Sequence, residues 1–443
     1  MQNEQVESCP RALIPIAVFL VLYLGLGITF EYVLHIPMGF YNIPIVAAFM
    51  VGILVACLQN RKVPFDGKLE IMAKSVGDKN IFMMILIFIC AGIFAGILGR
   101  DSASSAAYFL LHFIPPQFAV VVLFVVAAFV STAMGTSVGT IAVVAPISVE
   151  VALATGFSVP FCVASVVGGA MFGDNLSFIS DTTIAACSTQ GCKMSDKFRT
   201  NFLIALPASI ATVAVIMAIS FGTDAKVVND SSYSLTLLIP YVIVLALALA
   251  GINVFLVLLV GIVIASAVVV STGSVNLLGL LGNVGNGIGG MYETIMVTIL
   301  VSAMCGLIRA YGGFAAMLDF IHRIFKGHRS GQLGVGLLVC AMDIATANNT
   351  VAIVMAAPIA KQMGDEYRIS PRKVASLLDT FSCVIQGVIP YGAQMLVALS
   401  AIAAAKLDTA YSAFDVIPLM FYPIFLLVSS LVFIVISPKR HRL

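Results

Sequence analysis

Apolar residues fill the chain in runs near 20 residues, and short polar or charged stretches punctuate them from end to end. A helix of about 20 residues spans roughly 30 Å of hydrocarbon, so the pattern predicts an all-α polytopic membrane protein. The runs fall at 13–33, 41–60, 80–99, 159–187 and 199–222 in the first half, and at 234–251, 253–272, 291–309, 371–401 and 412–437 in the second. Two further segments, 116–155 and 331–367, fit no single crossing. As continuous helices they would reach roughly 55–60 Å. Each is interrupted near its middle by small and polar residues, Thr132 to Thr140 and Asp343 to Thr350. Two crossings, one broken crossing and a re-entrant hairpin are the alternatives for them.

The chain also repeats itself. "STAMGTSVGTIAVVAPI" (131–147) lines up without gaps on "DIATANNTVAIVMAAPI" (343–359) at an offset of 212, and neighbouring matches place His112 over His322 and Val163 over Val374. Nearly equal offsets in one order indicate duplication, with halves at 1–222 and 223–443. Cytoplasmic loops of membrane proteins are rich in Lys and Arg. If each awkward segment returns to the side it left, each half has five crossings, and both termini and nearly all basic residues share the cytoplasmic side. That set includes Lys68, Lys193, Lys197, Lys373 and the tail Lys439, Arg440 and Arg442; only Arg100, Lys226 and Lys406 fall outside. Five is odd, so the second half enters the membrane upside down. The expected architecture is two inverted-topology repeats, each with a hairpin-like segment and broken helices at the midplane, as in secondary transporters.

Composition narrows the functional classes. Of 443 residues 60% are hydrophobic and 10% charged, mean hydropathy is +1.09, and no polar segment is long enough for a separate soluble core. The first apolar run lacks a small-residue cleavage site and reads as a retained helix. A net charge of +2 carried in short loops gives no reason to expect nucleic acid. The nine cysteines and five histidines show no disulfide or zinc spacing; Cys187 and Cys192 read as small residues near a helix end. Gly285, Gly287 and Gly290 spell GxGxxG, but no strand precedes them, so they read as a flexible loop and not a dinucleotide site. No Walker A sequence occurs. Neither an enzyme nor a bound cofactor is expected.

The candidate chemistry lies at the interruptions. Non-helical backbone is tolerated at membrane depth only where protein or a water-filled cavity satisfies it, so the breaks should meet one another. From the first half this gathers Thr136, Ser137 and Thr140 with Asp174, Asn175, Ser177, Asp181, Thr182 and Thr183. The second half adds Asp343, Asn348, Asn349, Thr350, Asp379, Thr380, Ser382 and Gln386. Nearly all are oxygen donors suited to a hard cation such as sodium. Asp174 and Asp181, seven residues apart, would share a face two turns apart even on an unbroken helix, while Gly173 and the polar run to Thr183 favour an unwound middle that lets them approach closer; they are the expected sodium carboxylates. The i, i+3, i+7 spacing of Asp379, Ser382 and Gln386 suggests a second such face. Thr136, Asn348 and Asn349 serve equally well as local caps of a break. Glu150, Glu293 and Asp319 read as span-end residues. No Arg or Lys stands out at membrane depth as a carboxylate partner.

At these residues the sequence resembles the NhaC-type sodium/proton antiporters of the ion transporter superfamily. "GDNLSFISDTT" (173–183) is similar to that family's Gly-Asp-Lys-x-Ser-Pro-x-Ser-Asp-Thr-Thr signature and matches it at Asp174, Ser177, Ser180, Asp181, Thr182 and Thr183; Asn175 and Phe178 depart from it. The resemblance implies Na+/H+ antiport, with sodium and protons as the carried ions, in a bacterial plasma membrane, a homodimer being among the compatible assemblies. The alternative is a Na+- or H+-coupled symporter of a small amino acid or carboxylic acid.

Overall fold

A computed structural model describes residues 7–35, 43–223, 225–227 and 233–436. The tail Lys439, Arg440 and Arg442, used above to orient the C-terminus, lies outside them. The described residues contain no β-strand. The first half runs α1 Pro10–Ile28, α2 Ile45–Leu58, α3 Phe65–Val76, α4 Lys79–Phe113, α5 Pro116–Met134, α6 Ser137–Thr155, α7 Val159–Leu176, α8 Asp181–Gln190 and α9 Met194–Gly222. The second runs α10 Leu235–Leu249, α11 Val254–Ser271, α12 Leu277–Gly290, α13 Tyr292–Ala310, α14 Gly313–Ile324, α15 His328–Thr346, α16 Asn349–Glu366, α17 Pro371–Gln386, α18 Ala393–Ala404, α19 Ala413–Leu419 and α20 Phe421–Ile436. The protein is a polytopic all-α membrane protein.

Local signals explain the boundaries that matter most. Pro116 starts α5, where its missing N–H costs nothing, and Gly135 ends it in the left-handed conformation at φ 68°. Thr136 then caps α6, which stops at Gly156, φ 79°. Each arm has 19 residues, about 28 Å at 1.5 Å per residue, long enough to cross the hydrocarbon. The two pack against each other, as do α15 and α16, so both awkward segments are helical hairpins.

Eight helices among the described residues are long and apolar enough to cross, or nine if the bent pair α19–α20 is one span. The ten-run expectation differs in detail. The arms α5 and α6 are among the eight, whereas runs 41–60 and 234–251 are realised as helices of 14 and 15 residues. The glycine motif is not a loop: Gly285, Gly287 and Gly290 belong to α12. A Cβ on Gly287 would collide with the Gly92 carbonyl of α4, and one on Gly92 would lie 2.9 Å from the Met291 side chain. Glycine here serves backbone-to-backbone packing.

The hydrophobic core has two large parts, with a small third cluster of Ala12, Ala56, Leu307 and Tyr311. One part joins α4–α7 and α9 to α10, α11 and α18, and the other joins α13–α17 to α1 and α2. Each half thus lends its first two helices to the core built around the other half's hairpin.

Candidate functional site

The two hairpin turns and the two helix breaks converge on a cavity of about 320 Å³. Their backbones are near copies: Gly135 and Thr136 have φ/ψ of 68/28° and −153/125°, and Ala347 and Asn348, 212 positions on, have 48/28° and −149/112°. The second residue of each turn is an N-cap. Thr136 Oγ1 accepts from the Gly139 N–H at 3.4 Å, and Asn348 Oδ1 accepts from the Val351 N–H at 2.9 Å. Asn349 Oδ1 accepts from the Thr350 N–H at 3.1 Å, and Thr140 returns its hydroxyl to the Thr136 carbonyl at 2.9 Å. Capping accounts for these side chains locally, and Thr136, Asn348, Asn349 and Thr350 also line the cavity.

Asp174 sits in the last turn of α7, 3% exposed, on the cavity wall. Its Oδ2 accepts from the Ser137 hydroxyl at 2.7 Å and from the Ser137 N–H at 3.4 Å; its Oδ1 accepts from the Ser180 hydroxyl at 2.5 Å. Ser137 opens α6, and a helix N-terminus favours negative charge. Ser180 shares a hydrogen bond of 2.8 Å with Thr182. The network continues across the cavity: Gln394 Nε2 donates to Ser137 Oγ at 3.1 Å, and Gln386 Nε2 donates to Gln394 Oε1 at 2.7 Å and to the Ala347 carbonyl at 3.1 Å. One chain of hydrogen bonds therefore ties the first hairpin turn to the second. Among the described residues, no Lys or Arg lines this cavity.

Several expected residues lie elsewhere. Asp181 begins α8 and lines the same cavity, but it is exposed and does not share a continuous helix face with Asp174, because 177–180 break the helix. Ser177 turns away to donate to the Thr132 carbonyl at 2.8 Å, pinning the break to α5. Asp343 is wholly buried, off the cavity wall, and accepts one hydrogen bond from Ser382 at 2.9 Å. Asp379, Ser382 and Gln386 share α17 but face three different partners.

The largest correction concerns Lys197, assigned above to a cytoplasmic loop. It lies in the first turn of α9 at 1% exposure, and its Nζ donates to Asp379 Oδ2 at 2.5 Å, to Thr183 Oγ1 at 2.8 Å and to the Asn175 carbonyl at 2.8 Å. Asn201, one turn on, donates to Asp379 Oδ2 at 3.0 Å and to Asn175 Oδ1 at 2.7 Å, and accepts from Ser376. A fully buried cation does exist, therefore, and it faces Asp379. Lys68 is also buried, its Nζ donating to the Cys57 and Gln59 carbonyls at the end of α2, where cations are favoured. The sequence reading missed Lys197, Asn201 and Gln394. The i, i+4 spacing of Lys197 and Asn201, and a lone amide in the apolar run after Gly392, were the available signals.

A second cavity, of about 600 Å³, is lined by Gly96, Arg100, Ala142, Glu150, Val397 and Ala401 among others. Arg100 Nε meets Glu150 Oε1 at 2.8 Å, and Ser104 donates to Glu150 Oε2 at 2.6 Å, so Glu150 is a paired residue. Asn80 borders the first cavity and Arg100 the second; α4 runs about 27 Å from Asn80 to Leu98 at 1.5 Å per residue and kinks at Gly99, φ 60°. The helices α6 and α18 pack together and run from one cavity to the other, with Ser137 and Gln394 on the first and Ala142 and Val397 on the second.

Comparison with known proteins agrees with this architecture. The chain is 22% identical over 428 residues to the malate-2H(+)/Na(+)-lactate antiporter of Bacillus subtilis, covering 88% of each protein. It is 24% identical over 369 residues to the Na(+)/H(+) antiporter NhaC of the same organism, covering 75% of this chain and 81% of the relative. To NhaC of Alkalihalophilus pseudofirmus it is 21% identical over 352 residues, covering 72% and 74%. The profile of the Na+/H+ antiporter family matches residues 14–222 and again 230–437. Apolar spans, paired hairpins and a buried carboxylate at their meeting point are thus the parts of a secondary transporter and not of an enzyme, and the chain belongs to the Na+/H+ antiporter family.

Proposed function

We propose that the protein exchanges sodium for protons at Asp174 by alternating access. The observation that carries this reading is a buried carboxylate, ringed by the Ser137 and Ser180 hydroxyls, on a cavity wall without Lys or Arg among the described residues. Such a group accepts either a hard cation with oxygen neighbours or a proton, and the two exclude each other. Asp181, at the same cavity, serves as an entry carboxylate. Sodium flux in proteoliposomes of the purified protein, driven by a pH gradient with no organic solute, tests the exchange. Raising the pH on the sodium side should lower the sodium concentration needed for half-maximal rate; a sodium requirement independent of pH would sink a shared site.

A second reading is favoured by a specific observation. A cavity of about 320 Å³ bordered by Asn348, Asn349, Gln386 and Gln394 is larger than a bare cation needs, and amides recognise carboxylates. The relative named for malate and lactate carries organic acids together with ions. Coupled movement of a small hydroxy acid or amino acid is therefore the alternative. No exchange without organic solute, followed by robust uptake when a dicarboxylate and amino-acid panel is added, would select it.

Alternating access in this reading rests on two inverted repeats, 1–222 and 223–443, with both termini cytoplasmic. The matching turns at Gly135–Thr136 and Ala347–Asn348 and the double profile match support the duplication. In a cysteine-free background, cysteines replacing the exposed Lys193 and Lys326 should resist an impermeant thiol reagent added outside, and one replacing Lys226 should react. Labelling of position 193 from outside would remove the five-plus-five topology.

A further inference from the structure

Three carboxylates are deeply buried among the polar breaks, and they are not equivalent. Asp174 faces the cavity, Asp343 meets only the Ser382 hydroxyl, and Asp379 meets a lysine. We infer that Lys197 is a built-in counter-cation that withdraws Asp379 from the ion-binding set, leaving Asp174 as the buried carboxylate at which cation and proton exchange.

The geometry makes Lys197 a substitute for a bound ion. Its ammonium occupies the centre of a ring of oxygens, one carboxylate, one hydroxyl and one backbone carbonyl, all within 2.8 Å. That donor set resembles what a dehydrated alkali cation would choose. A mobile cation arriving at Asp379 would stand within a few ångströms of the ammonium in a medium of low dielectric, where like charges repel strongly. Asn201 supplies a second donor to the same carboxylate oxygen, and Ser376 fixes Asn201 in turn. The pair is also a strap. It joins α9 to α17, 182 positions apart in sequence, and through the Asn175 carbonyl and Thr183 it holds both sides of the break that carries Asp174. Lys197 is accordingly a positioning residue, acting on Asp174 through α7 and α8.

The inference rests on cation binding at Asp174, and its test separates the two ideas. Breaking a buried ion pair strands a charge, whereas replacing both partners by neutral groups of similar size is often tolerated. Lys197→Met alone should lower sodium-driven proton movement in proteoliposomes about tenfold or more. The double variant Lys197→Met/Asp379→Asn should return to within about threefold of the parent with the same sodium-to-proton ratio. In detergent, sodium should raise the unfolding temperature of the parent and of the double variant alike, and should not raise that of Asp174→Asn. A double variant that unfolds at the parental temperature without sodium, yet has lost sodium stabilisation or changed the ratio, overturns the inference. Should the double variant not fold, the parent still decides: release of up to one proton per chain on sodium binding, largest at low pH, supports it, and release of two overturns it. Failure of the parent to exchange sodium for protons would remove the antiport reading alone, because the sodium-stabilisation comparison continues to distinguish Asp174 from Asp379.

Discussion

Asp174 in the last turn of α7 and Gln386 in the last turn of α17 each reach one of two hairpin turns whose dihedral angles nearly match. The carboxylate accepts from the Ser137 N–H and hydroxyl, where α6 begins. The amide donates to the Ala347 carbonyl, where α15 ends. Each side chain therefore suits the helix end it meets, since helix starts offer donors and helix ends offer acceptors. Turns of matching backbone thus carry a charge on one side of the site and a neutral bridge on the other, and this difference makes the site asymmetric.

Six substitutions probe that contrast. Asp174→Asn keeps the shape and removes the charge; hydrogen bonds to charged groups contribute up to about 3 kcal/mol, so coupled exchange should fall about a hundredfold or more while the protein remains folded. Parental exchange in this variant, measured at saturating sodium, would remove Asp174 from the mechanism. Gln386→Glu extends the charge to the second turn and replaces a donor with an acceptor opposite the Ala347 carbonyl. It should destabilise by about 1–3 kcal/mol in thermal unfolding and slow transport less than Asp174→Asn does. Next come the caps, where Thr136→Ala and Asn348→Ala should each cost about 1 kcal/mol, and similar values would show that the turns are energetically as alike as their dihedrals. The two left-handed residues differ from each other. Gly135→Ala should destabilise by about 1–2 kcal/mol, its Cβ meeting Ile179 and Ser180 near 3.0 Å. Ala347→Gly should change stability by less than about 1 kcal/mol, because relief at φ 48° is offset by added chain entropy.

Much of this was legible from the chain. The helical hairpins announced themselves as apolar segments too long for one crossing with small residues in the middle, and Asp174 as a carboxylate at hydrocarbon depth. The position of Lys197 was not legible, because hydropathy reads a lysine near three other basic or acidic residues as a loop. Its burial depends on Asp379, a partner far along the chain, and such a pairing leaves no local pattern. The polar run from Gly173 to Thr183 signalled an unwound middle, and the backbone from Ser177 to Ser180 is indeed not helical; what the spacing did not show is that Asp181 lies exposed at the cavity where Asp174 is buried. Gln394 escaped notice because one amide among eight or nine apolar neighbours looks like noise until Ser137 and Gln386 are set beside it.

The seam between α6 and α18 has a mechanical consequence. Ser137 faces one cavity and Ala142 the other, five residues along the same helix; Gln394 and Val397 do the same three residues apart. At 1.5 Å per residue the partition between the two compartments is only about 5–8 Å thick. It is made of Val138, Gly139, Thr140 and Ile141 on α6 and Met395 and Leu396 on α18, of which Thr140, Ile141 and Met395 are fully buried. For the alternating access proposed above, so thin a septum would require no large swing: a slide of about one helical turn, roughly 5 Å, would carry the Ser137 hydroxyl past it.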